Sequence, residues 1–304
     1  MLAPLNSQHV ADRARLILFF HIPKTGGTSV KVAFQRVLGA KDTFAYEGAS
    51  VPEIENFVGQ YAHPSSPRIL LGHISPLSLT TGSGVIRTTV VRNPIDHLIS
   101  FFCYSFQRRY EILTDLEFLR SCARYRDGRF SGKDVERWIE RFHRDNSQTR
   151  FLSSSFVGPL TAQSERAALD ALDSCDVVGT TEELGLYMAI LAHLTGTESP
   201  KPAHVNRSAH DIIEEEPGRL RESLKPYVDI DSRIYAHAQE RFEVSKEQCH
   251  LKLDTTVLHG TGDLTFYERL QSFWRITPQE RRARLTRRLT VLKNYTRDIL
   301  GAVS

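Results

Sequence analysis

The stretch FFHIPKTGGTS, Phe19 to Ser29, decides the fold. It closes an apolar run, Leu16–His21 (LILFFH), and leads into a helical pattern over Thr28–Leu38 that stops at Gly39. Unbroken apolar runs with β-branched and aromatic residues mark strands covered on both faces, as parallel strands are. The order is therefore buried strand, tight turn, helix, with Lys24, Gly26, Gly27 and the hydroxyls of Thr25, Thr28 and Ser29 placed in or just after the turn.

Outward from this unit the same alternation returns. Ile69–His73 (ILLGH), Ile86–Arg92 (IRTTVVR) and Asp176–Thr180 (DVVGT) read as further buried strands. Pro94–Gln107 follows the third strand as a helix, with Asn93 as N-cap and Pro94 at the first helical position, and Glu182–Thr195 follows the fourth. Alternating strands and helices predict an α/β fold with a central, mostly parallel sheet flanked by helices. About Tyr110 to Asp145 the patterning is helical only, an insertion beside the sheet. From residue 281 onward, Leu285, Leu289, Leu292 and Ile299 share one stripe of an amphipathic terminal helix, so the expected domain is 1–280 with 281–304 appended.

The 304 residues carry 39 Lys+Arg against 36 Asp+Glu, are 40% hydrophobic and 25% charged, and thus fit an ordinary globular protein rather than a disordered one. Residues 281 to 304 hold seven basic residues and one acid, a local +6 that leaves −3 on the remainder of a chain of net charge +3. A nucleic-acid-coating surface is not what the totals describe, and no nucleic-acid partner is expected. The terminal helix reads most simply as docked by its leucines with its charges in water, and alternatively as a contact to an anionic partner or membrane surface. The longest apolar run near the start, Leu16–Phe20, falls far short of the roughly 20 residues that span a bilayer, and the features of a secretory signal are missing. Cys103, Cys122, Cys175 and Cys249 are scattered, which predicts reduced thiols and a cytoplasmic protein. No HExxH, calcium-loop or Cys/His spacing points to a metal.

The turn carries the chemistry. Gly26 and Gly27 let backbone approach a ligand closely, and the amides from Thr25 to Ser29 open a helix whose dipole favours an anion, with Lys24 adding a full charge. This is a phosphate-type cradle at the carboxyl end of a sheet strand, where open α/β sheets place ligands. The nucleoside-triphosphate P-loop differs in spacing: it needs a glycine four residues ahead of its lysine triplet, and here both glycines follow Lys24. A glycine turn without a ligand is the plainer alternative. A second constellation, VVRNPIDHLIS (Val90 to Ser100), puts Arg92 at a strand end and Ser100 seven residues after Asn93, two helical turns on and on the same face. An arginine fork with a hydroxyl suits a second phosphate, although an arginine at a strand end is as readily structural.

Lys-Thr-Gly-Gly-Thr-Ser after the first strand, followed by Arg-x-Pro-x5-Ser at a later strand-to-helix junction, resembles the sulfotransferases that use 3′-phosphoadenosine 5′-phosphosulfate (PAPS). Within them the chain is most similar to the carbohydrate O-sulfotransferase branch that includes the heparan sulfate 2-O- and 6-O-sulfotransferases, loosely from residue 16 to 242. The resemblance implies a P-loop-like three-layer fold. It implies that Lys24, Thr25, Gly26, Gly27, Thr28 and Ser29 hold the 5′-phosphosulfate, that Arg92 and Ser100 hold the 3′-phosphate, and that 3′-phosphoadenosine 5′-phosphate (PAP) is the product. His73, in the Gly-His pair ending the second strand, becomes the general base for an acceptor hydroxyl, with Lys24 catalytic beside it; by itself it is a lone strand-end histidine. Asn146, Gln148 and Arg150, with Thr149 in NSQTR, resemble a polar motif lining the cleft on the acceptor or cofactor side. Arg207 and Ser208, after Asn206, fall where relatives close over the nucleotide. Thr181 and Glu182 fit this motif set or plain helix capping. No metal is implied. Animal members of the branch are membrane-anchored Golgi enzymes, so the expectation here is a bacterial-type cytosolic enzyme acting on a carbohydrate or other hydroxyl acceptor.

Two rivals stand beside this expectation. An ATP-dependent kinase would share the strand, lysine and helix order. A non-enzymatic nucleotide-fold module would bind polyanions or membrane through 281–304.

Overall fold

A computed structural model describes residues 16–46, 51–61, 67–79, 84–108, 118, 122, 129–201 and 212–249. Five strands, β1 (Leu16–Phe20), β2 (Thr43–Tyr46), β3 (Arg68–Gly72), β4 (Val85–Val91) and β5 (Val177–Thr180), form one sheet in the order β2-β3-β1-β4-β5. Every pairing is parallel, with Leu16 opposite Arg68 on one side and Val85 on the other. The sheet is therefore wholly parallel. β1 is central and its five residues are all buried, as its unbroken apolar sequence requires.

Nine helices are described: α1 (Gly27–Leu38), α2 (Val51–Tyr61), α3 (Pro94–Arg108), α4 (Gly132–Arg141), α5 (Ser147–Leu152), α6 (Ala162–Asp173), α7 (Leu184–Thr195), α8 (Pro217–Leu224) and α9 (Asp229–Gln248). The two faces of the sheet take alternate residues of each strand. Leu16, Leu18 and Phe20 pack with Ile54 and Phe57 of α2, Leu172 of α6 and Ile234 of α9. Ile17 and Phe19 pack with Val30 and Phe34 of α1 and Tyr187 and Leu191 of α7. These are the three layers of an α/β sandwich. Beside them, α3, α4 and α8 close a further core around Trp138, which includes Phe102, Phe130 and Leu224.

The expected strands and helices are present to within a residue or two, apart from a short 3-10 turn (Thr181–Glu183) that delays α7 to Leu184. β2 was not expected: four residues on the sheet edge, paired only with β3, make too short a run to stand out. Within the expected insertion, α4 is opened by a capping box between Ser131 and Asp134. Most of 110–128 lies outside the described residues, as do Arg207, Ser208 and the helix expected over 281–304. All four cysteines are free and buried. Among the described residues no helix is long and apolar enough to cross a membrane.

The chain leaves β1 toward β3 and β2 and leaves β4 toward β5, so the connections diverge between β1 and β4. Ligands of open α/β sheets bind at the carboxyl ends of the strands at such a point. The ends of β3, β1 and β4, side by side, carry His73, the Lys24 turn and Arg92 respectively.

Candidate active site

The turn after β1 has its carbonyls held from behind, one after another. Ile22 O accepts from the Thr25 hydroxyl (2.9 Å), Pro23 O from His97 Nε2 (2.7 Å) and Lys24 O from Arg92 Nη1 (3.3 Å). Thr25 O accepts from the Thr181 hydroxyl (2.9 Å) and Gly26 O from the Ser29 amide (2.8 Å). Five successive acceptors are thus satisfied by the protein. The amides of Gly26, Gly27 and Thr28 donate to no acceptor among the described residues. A surface that presents donors and no acceptor, at the first turn of a helix, selects an anion.

Two corrections to the sequence reading follow. The Thr25 amide turns back to Ile22 O (3.4 Å) and the Ser29 amide to Gly26 O, so the outward-facing set is the three amides between them. Thr25 itself is fully buried and its hydroxyl is engaged, which gives it a place in the turn rather than a contact to a ligand. The glycines act differently from one another. Gly26 adopts φ 93, open to glycine at little cost. At Gly27 a Cβ would lie 2.1 Å from His21 Cδ2, so the bare backbone lets the His21 ring lie on the start of α1.

His21, Gly27, Thr28, Lys31, Leu71 and His73 line a cleft beside the turn. The rings of His21 and His73 stack, with centroids 4.4 Å apart. His73 Nδ1 lies 2.8 Å from His21 O; a carbonyl only accepts, so Nδ1 carries the hydrogen and a neutral ring keeps its lone pair on Nε2. Burial first, then the neighbouring His73, Lys24 and Lys31, hold His21 well below the ordinary imidazole range, so His21 is neutral at pH 7. Lys24 Nζ reaches over the Tyr104 ring of α3, 4.2 Å from its centroid.

Arg92 is built into the same structure. Its amide donates to Gln148 Oε1 and its carbonyl accepts from Gln148 Nε2, both at 2.9 Å. Burial lowers its pKa, opposed by Asp96 and Glu182, and it stays a cation. Asn93 caps α3 as expected, its Oδ1 accepting from the Asp96 amide (3.3 Å). Ser100, two turns along α3, is 2% exposed.

The NSQTR residues face inward, which corrects their expected place on the cleft wall. Asn146 Oδ1 accepts from the amides of Ile230 and Asp231 (2.9 Å each), capping α9. Asp231 answers by accepting from the amides of Gln148 (3.1 Å) and Thr149 (2.7 Å), capping α5. Arg150 is 5% exposed and bonds Asp145, Ser155 O and Gly158 O. Gln148, 1% exposed, acts on Arg92 and not on solvent. Thr181 and Glu182 tie β5 to the site, Thr181 through Thr25 O and Glu182 through the Asn93 amide (3.0 Å).

Three residues of this site went unremarked in the sequence: His21, Lys31 and His97. Of these, His97 shares the α3 face of Ser100, three residues on, and that spacing was its available signal.

Fold and site together define a P-loop-like α/β protein with three outward-facing amides at the switch point of its sheet. The chain belongs to the sulfotransferase family, which matches it over residues 7–246, and its five-stranded parallel sheet flanked by helices is consistent with that family's fold. The membership supports a transferase that moves sulfuryl groups to a hydroxyl-bearing acceptor. A comparison with curated proteins finds no match.

Proposed function

We propose that the chain transfers a sulfuryl group from PAPS to a hydroxyl of a carbohydrate or glycoconjugate in the cytoplasm. The observation that carries the nucleotide assignment is the turn itself, with five carbonyls held inward and the amides of Gly26, Gly27 and Thr28 left as donors. These amides and Lys24 would hold the 5′-phosphosulfate, and Arg92 with Ser100 the 3′-phosphate. Bound PAPS supplies the activated sulfuryl group and is released as PAP.

The chain's own groups do the rest. His73, with Nδ1–H fixed on His21 O, offers Nε2 to take the proton of an acceptor hydroxyl within hydrogen-bond reach. The stacked, neutral His21 holds that ring in place without adding charge. Lys24 and the three amides oppose negative charge growing on the leaving side, where preorganised donors act most strongly. Such in-line transfer depends chiefly on positioning and electrostatics, by analogy with phosphoryl transfer.

Calorimetry of PAP against ATP with Mg²⁺ tests this reading: PAP binds without added metal and tighter than ATP. Arg92→Ala weakens PAP binding. His73→Ala keeps PAP affinity and lowers turnover by roughly 10²–10⁴-fold. Tight ATP–Mg²⁺ binding with no PAP binding would sink the assignment, and full activity in His73→Ala would remove its base.

A further inference from the structure

Lys24 holds φ 71, the left-handed region that a long L side chain enters at a cost of about 1–3 kcal/mol and keeps only when its surroundings impose it. The torsions of a residue are set by the two peptide planes that flank it. For Lys24 those planes end in the carbonyls of Pro23 and of Lys24 itself, and both are tethered from the β4–α3 side. His97 Nε2 holds Pro23 O at 2.7 Å, and Arg92 Nη1 holds Lys24 O at 3.3 Å. The His97 bond is the shorter of the two.

His97 is 1% exposed on the first turns of α3. Its other nitrogen, Nδ1, lies 3.0 Å from the Ser147 hydroxyl at the start of α5. Since Pro23 O can only accept, Nε2 carries the hydrogen and the hydroxyl donates to Nδ1. The charged groups acting on the ring are Arg92, Lys24 and Arg144, from the strand end, the turn and the α4–α5 connection, and all are cations. Burial first, and then these cations, outweigh the bond to Pro23 O and push its pKa down to about 4, which keeps the ring neutral and Nδ1 an acceptor.

We infer that His97 is a positioning residue for sulfuryl transfer: with its ring held between Ser147 and Pro23 O, it holds the Pro23 carbonyl and so the left-handed Lys24 turn that aims Lys24 and the Gly26–Thr28 amides at the donor. The ligand half of this inference rests on the function proposed above; the geometric half stands on the ligand-free protein.

The test compares full-length wild type, His97→Leu and His97→Gln, the glutamine supplying an amide donor where Nε2 was. Two readouts are taken: PAP affinity by calorimetry, and hydrogen-exchange protection of the Ser29 and Val30 amides, both of which bond Gly26 O, in ligand-free protein. His97→Leu weakens PAP binding and lowers protection at Ser29 and Val30 by about tenfold each, the equivalent of roughly 1.4 kcal/mol, while β4 keeps its protection. His97→Gln recovers most of both. Equal loss of protection in β4 and at Ser29, a folded His97→Gln variant that recovers nothing, or a His97→Leu variant like wild type would overturn the inference. If wild type binds no PAP, the proposed function falls and the exchange data alone decide His97. If His97→Leu does not fold, ring ¹⁵N shifts of the wild type decide: the Nε2–H tautomer is expected, and an Nδ1–H tautomer, which has no hydrogen to give Pro23 O, overturns the inference.

Discussion

Substituting Gly27 with alanine isolates one contact on which the site depends. The new Cβ would stand 2.1 Å from His21 Cδ2, 2.3 Å from Nε2 and 2.6 Å from Cγ, well inside van der Waals contact. The whole ring must move, because three of its atoms are hit. It is confined by Phe19, 5.8 Å away between centroids, and by the stacked His73. Forcing atoms into such a space costs about 1–3 kcal/mol, which lowers the melting midpoint by roughly 2–4 °C for each kcal/mol in a chain of this size. The displaced ring is the one stacked on His73 and lies against the turn, so PAP affinity falls with stability. Gly59→Ala is the internal control. It sits exposed in α2 with nothing within 4 Å of the added Cβ, and relief of glycine's backbone entropy there stabilises by about 0.5–1 kcal/mol. Thermal unfolding and PAP calorimetry on the two variants read both signs. Gly27→Ala melting at or above wild type with undiminished PAP affinity would refute the reasoning.

Acid stability should carry the signature of His97. Its folded pKa of about 4 lies below the ordinary histidine value, so its contribution is whole above about pH 6.5 and is lost as pH falls toward 4, roughly 3 kcal/mol in all. The difference in unfolding free energy between wild type and His97→Gln should shrink over that window; a difference flat with pH would contradict it. Asp231, pushed up to about 6 by burial, acts in the opposite sense but is common to both proteins and cancels. Asn146→Ala removes the α9 cap and costs about 1–2 kcal/mol of stability, with turnover per folded molecule unchanged. A large rise in KM for the acceptor in that variant would restore the cleft-lining role. Lys24→Ala should lower turnover by orders of magnitude with only a small change in melting midpoint, since its ammonium lies over Tyr104 at the site and not in the core.

Local sequence determined a good deal of this protein. Unbroken apolar runs named four of the five strands and made them parallel, and the glycine turn with its lysine was legible at the end of the first. Asn93 and Pro94 announced α3 by capping chemistry that operates within a few residues, which is why it could be read. Tertiary structure alone decided how the polar residues around the turn are used. Asn146 and Gln148 have the composition of a ligand site, yet each is buried against backbone that spacing does not predict: Gln148 meets Arg92, 56 residues away, and Asn146 meets Asp231, 85 away. His21 and His97 were the converse, inconspicuous in sequence and placed at the cradle by the fold. A side chain's hydrogen-bonding capacity is written in its residue type, but whether ligand or backbone satisfies it depends on which distant carbonyl or amide packing brings within 3 Å. That pairing exists only once the sheet has closed and α3, α5 and α9 have docked around the turn.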